Sequence, residues 1–75
     1  MMRFVEARQK KKYVLKTTYV SNEAYELRYG KESEAQKQFV EIVKSAVTNQ
    51  MIKRVQVLKE YHDNIYKELY SFTRN

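Results

Sequence analysis

Arg3, Arg8, Lys10, Lys11, Lys12 and Lys16 fall within the first sixteen residues, with Glu6 the single acid among them. The rest of the chain holds nine basic and eight acidic residues, so nearly all of the net charge of +6 is gathered at the front. The chemistry such a cluster performs is capture of polyanions. Each lysine or arginine that meets a phosphate releases condensed counter-ions, and the resulting affinity falls steeply with salt. These contacts position a nucleic acid without reading its sequence. The plainer alternative is a solvated surface that keeps a small protein soluble.

Covalent chemistry finds little footing. The chain has no cysteine, which removes disulfides, thiolate nucleophiles and most zinc sites, and points to a reducing compartment, the cytoplasm. His62 is the only histidine, so a His-based metal cage cannot be assembled, and a turn or interface position suits it better. Glu32 and Glu34 are close together, but acidic side chains at a helix start are explained by the helix dipole. Gly30 stands alone, without the glycine spacing of a phosphate-cradling loop. The reading is a binding protein and not an enzyme, with no cofactor and no metal. Neither a signal-peptide core nor a long apolar run is present, so no membrane association is expected.

The elements that would hold these residues follow from periodicity. Residues 13 to 20, Tyr-Val-Leu-Lys-Thr-Thr-Tyr-Val, are rich in β-branched and aromatic types, and a period of two sets Tyr13, Leu15, Thr17 and Tyr19 on one face. Ser21-Asn22-Glu23 reads as a turn, after which Tyr25, Leu27 and Tyr29 alternate with Glu26 and Arg28. The result is a hairpin with its aromatics toward the core. Its other face carries Lys12, Val14, Lys16, Thr18, Glu26 and Arg28 and leans basic, so Arg28 and Lys16 join the phosphate-binding set. Phe4 and Val5 are placed to extend this sheet or to pack loosely beside it.

Ser33-Glu34-Ala35-Gln36 has the form of a capping box, and apolar residues at 35, 39, 42, 43, 46 and 47 give the helix that follows an amphipathic stripe. Asn49 is suited to a left-handed cap at its end. Residues 51 to 72 fit two periods. As strands, 52 to 61 and 65 to 72 flank His62-Asp63-Asn64, with Val55, Val57 and Tyr61 on one face. As a helix, Met51, Val55, Leu58, His62, Ile65, Leu69 and Phe72 form heptads. The Val, Ile, Tyr and Phe content and the adjacent Asp63 and Asn64 favour the hairpin.

The expected fold is α+β, a single domain over 1–75 with a basic N-terminal segment (1–12): a small antiparallel sheet with one packed helix, in the order ββαββ. The alternative is ββαα, in which the heptad stripe could serve as a homodimer seam. Three functions follow. The first is a nucleic-acid-binding accessory or regulatory protein, its partner DNA or RNA, met by Arg3, Arg8, Lys10, Lys11, Lys12, Lys16 and Arg28. The second is an inhibitor or adaptor of the phage or mobile-element type that docks on an acidic protein surface, with Leu58, Tyr61, Ile65, Tyr66 and Tyr70 as interface residues. The third is a structural subunit that self-associates through residues 51 to 72.

Overall fold

The computed structural model describes residues 11–62 and 64–74. Phe4, Val5, Arg3, Arg8 and Lys10 lie outside the described residues. Among those described, the order is β1 (Tyr13–Tyr19), β2 (Ala24–Tyr29), α1 (Glu32–Thr48), β3 (Ile52–His62) and β4 (Ile65–Thr73). The strands form one antiparallel sheet in the order β2-β1-β3-β4, with the helix packed on one side. The ββαββ order is thus the one adopted. Residues 51 to 72 form a hairpin, and the heptad helix with its dimer seam does not exist. Period two wins because it buries Val55 and Val57 completely, while Asn64 takes a left-handed turn conformation (φ 65°) at which a helix would have to break.

The first hairpin turns through Asn22, also left-handed (φ 75°), whose N–H donates to the Tyr19 carbonyl at 2.8 Å. Asparagine tolerates this region better than most side chains, which is why both tight turns place one there. Strands β2 and β3 both pair antiparallel with β1 and so run parallel to each other. The helix joins them by crossing the sheet, and it packs chiefly on β3 and β1, only lightly on β2.

That crossing defines the core. Leu15 from β1, Ile52, Val55 and Val57 from β3, and Ala35 and Ala46 from the helix are all buried, with Tyr13, Tyr19, Tyr29, Phe39, Ile42, Val43 and Phe72 packed around them. Each large aliphatic fully withdrawn from water contributes about 1.5 to 3 kcal/mol. The expectation that every odd-numbered residue of β2 lies in the core fails: Tyr25 is 66% and Leu27 56% exposed. Their alternation puts them on the helix side of the sheet, but the helix lies over β1 and β3 and does not reach across them.

Both expected helix caps are replaced. The N-cap is Lys31, in extended conformation and without a side-chain cap, so Ser33 is already inside the first turn and the capping box does not form. Glu32 and Glu34 supply the favourable charge there instead. At the other end Asn49 is extended (φ −98°, ψ 99°) and not left-handed. Arg74, just past β4, explains this by donating to the carbonyls of Ala46, Asn49 and Ile52. With its orphan carbonyls met by a guanidinium, the helix needs no left-handed residue to close.

Candidate nucleic-acid interface

Strands β3 and β4 outlast their neighbours at the end of the sheet where the helix begins. Tyr13, the first residue of β1, stands opposite both Tyr29, the last of β2, and Lys59 of β3, so the hairpin between Lys59 and Lys67 runs on beyond the start of β1 and the end of β2. Lys12 continues the ladder by one bond, its carbonyl accepting from the Glu60 N–H at 2.8 Å. Lys11 and Lys12 therefore lie at the root of the projecting hairpin.

The two faces of this end differ in how their basic side chains are paired. On the side away from the helix, Arg28 is engaged through three of its five donors. It donates to Glu60 Oε1 at 2.9 Å, to the Tyr66 hydroxyl at 3.1 Å and to the Lys11 carbonyl at 3.2 Å. The bond to Glu60 first, then that to Tyr66, raises its pKa further above the ordinary arginine value. With side chains 42% and 25% exposed, the Arg28–Glu60 pair is worth only about 0 to 1 kcal/mol to stability, but it ties three strands at one corner. Lys16 lies further along this face, half-buried between Glu26 and Gln56. On this side Lys12, Lys16, Arg28 and Arg54 are interleaved with Glu26, Glu60 and Glu68.

The helix side is different. Lys59 and Lys67 stand directly opposite each other across the β3–β4 ladder. The Lys59 ammonium lies 5.1 Å from the ring centroid of Tyr61 and 5.8 Å from that of Tyr13. Lys31 opens the helix at the same end of the sheet. Among the described residues neither lysine of the pair meets a carboxylate within salt-bridge distance. Like charges facing each other across a ladder are destabilising, so this pair lowers the stability of the strand ends that hold it.

The structure thus brings Lys11 and Lys12 to this end, leaves Lys16 in mid-sheet and commits Arg28 to an internal pair. Of the expected interface residues, Tyr61, Ile65 and Tyr66 cluster at the exposed hairpin end. Leu58 is half-buried on the face away from the helix, opposite Val14. Tyr70 turns inward, its ring against Phe39 and its hydroxyl donating to Glu32 at 2.7 Å. Sequence reasoning missed Lys31, Lys59, Lys67 and the part played by Tyr13. Lys59 and Lys67 could have been found from their even spacing about residues 62 to 64, where the sequence places its turn.

Two other candidates are weaker. A depression on the helix, lined by Ser33, Gln36, Lys37, Val40 and Glu41, is shallow and open to solvent. Among the described residues no group of three or more His, Cys, Asp or Glu side chains could hold a metal ion, and no helix is long and apolar enough to cross a membrane. No family model matches the chain, and no curated protein and no solved structure gives a significant match.

Proposed function

We propose that the chain binds DNA or RNA through the projecting β3–β4 hairpin and the basic segment that enters beside it. The observation that carries this reading is the Lys59–Lys67 pair, like charges held opposite one another with neither in salt-bridge distance of a carboxylate among the described residues. A nucleic-acid backbone supplies the missing negative charge. Lys11, Lys12, Lys31, Lys59 and Lys67 contact phosphates, with Arg3, Arg8 and Lys10 adding to them from the N-terminal segment. Tyr61, 47% exposed, offers a ring face on which a base can stack. A two-stranded antiparallel ribbon also has the width to enter a major groove. Lys16 and Arg28 drop to a minor role, Arg28 because its charge is already met by Glu60.

Fluorescence anisotropy with labelled single- and double-stranded DNA and RNA, titrated at several salt concentrations, tests the proposal. Affinity is expected to fall linearly on a log–log salt plot, and Lys59→Ala or Lys67→Ala should each reduce that slope by about one while weakening all sequences alike. No binding at low salt, or a slope indifferent to both substitutions, removes the hairpin as the contact.

A second reading draws on the tip itself, where Ile65 is 56% and Tyr66 41% exposed beside Tyr61. An aromatic and aliphatic cluster ringed by lysines suits an acidic protein surface, as an inhibitor or adaptor would use. Recovery of one stoichiometric protein partner after nuclease treatment, lost in Ile65→Ala, would favour it over nucleic acid.

A further inference from the structure

Among the described residues strand β2 is an edge of the sheet, paired on one side only. All of its residues except Tyr29 are exposed, and its ladder to β1 runs without a register shift from Ala24 to Tyr29. The outward backbone groups of such a strand are a template for another strand. What would pair there is written in its own sequence. From Glu23 to Lys31 it reads Glu-Ala-Tyr-Glu-Leu-Arg-Tyr-Gly-Lys, which about Leu27 is symmetric in size and opposite in charge.

We infer that β2 is a self-association edge: two copies of the chain pair antiparallel through it, about a two-fold axis at Leu27, into one eight-stranded sheet. The register follows from elimination. Residues directly opposite in an antiparallel ladder point to the same face of the sheet, so a two-fold axis through this strand falls at a residue. Centring on Glu26 sets two glutamates opposite each other, and centring on Arg28 sets two arginines opposite. Centring on Leu27 sets Glu26 opposite the second copy's Arg28, and Arg28 opposite its Glu26, on the face away from the helices. On the helix side it sets Leu27 against Leu27 and Tyr25 against Tyr29. These are the opposite-charge, aromatic and aliphatic pairings that stabilise a ladder, and an isologous contact uses each off-axis pair twice.

The same register would cover the two exposed apolar side chains that the helix leaves open, Tyr25 and Leu27. Both helices would lie on one side of the joined sheet, each displaced from the seam because each packs on β1 and β3. Glu26, which has no ion pair among the described residues, would gain one. The contact is small, so association is expected to be weak and to depend on concentration.

Sedimentation equilibrium across a wide concentration range should show the mass rising from one chain to two and no further. Glu26→Lys sets a lysine opposite Arg28 at both symmetric places in the seam and should weaken association about tenfold, whereas Glu34→Lys, the same charge change on the helix, should leave it unaltered. Because the chain has no cysteine of its own, Leu27→Cys gives a clean register probe: mild oxidation or a short thiol cross-linker should yield a covalent dimer. Circular dichroism confirms that each variant is folded, since these positions are exposed. A mass of one chain at every concentration overturns the inference. So does association indifferent to Glu26→Lys, growth into higher oligomers, or a Leu27→Cys dimer whose introduced thiols do not cross-link.

Discussion

Strand β2 closes the sheet on one side and β4 on the other, and the two handle the exposed backbone of an edge differently. The β3–β4 ladder shifts register twice, between Val57 and Leu58 and between Glu60 and His62, and such bulges spoil an edge as a template for further strands. Strand β4 is also bound into the rest of the fold. Phe72 and Tyr70 pack against the core, Tyr70 reaches the first turn of the helix, and Arg74 beyond the strand closes the helix at its other end. Strand β2 has an unshifted ladder, exposed apolar side chains and a single polar tie, through Arg28 to Glu60 and Tyr66. The difference separates two kinds of edge: β4 contributes to stability, and β2, among the described residues, keeps its outer backbone unpaired.

The largest test of that division compares two truncations. Phe72→Ala, facing Val55 from β4, should cost about 2 to 3 kcal/mol, while Leu27→Ala on β2 should cost under about 1 kcal/mol, both read by urea denaturation of dilute protein. Equal losses would erase the distinction between the edges. Arg74→Ala comes next. Removing a charged donor from two carbonyls at the helix end and one at the start of β3 should cost about 2 kcal/mol and loosen the amides after Ser45 in hydrogen exchange.

The smallest expected effect is on pH. Donation to Glu32, with some burial, raises the Tyr70 phenol above its ordinary value of 10.0. A raised folded-state pKa means that the stability it contributes is complete below about pH 10, where the unfolded phenol is still protonated, and is lost as pH climbs through the folded value. The stability difference between the wild type and Tyr70→Phe should therefore shrink in alkaline solution. A difference constant across that range would show that the bond to Glu32 carries no weight.

How much of the molecule is legible in its sequence varies with the distance over which each feature is decided. The strands of β1 and β3 can be read because Leu15, Val55 and Val57 declare their face by local alternation, and the second turn can be read from the adjacent Asp and Asn of the sequence at 63 and 64. The caps cannot, because the group that closes the helix, Arg74, lies at the far end of β4 and has no local signature. Alternation tells which face Tyr25 and Leu27 are on, but whether anything covers that face depends on the path of the helix. The site is half legible. The charge of the N-terminal segment is visible in the sequence, but the neutralisation of Arg28 needs the strand order that brings Glu60 and Tyr66 beside it. The opposition of Lys59 and Lys67 needs the hairpin register.

The placement of β1 and β3 at the centre of the sheet has a kinetic consequence. Each hairpin joins neighbours in the chain and can form early, but the ladder that unites them pairs Leu15 with Val57 across the entire turn, strand and helix between. An isolated two-stranded hairpin is marginal in water, so neither half is expected to persist alone. Closure of that long loop is then the slow step, with the helix settling onto the seam as the halves meet, and the chain should fold and unfold as a single cooperative unit.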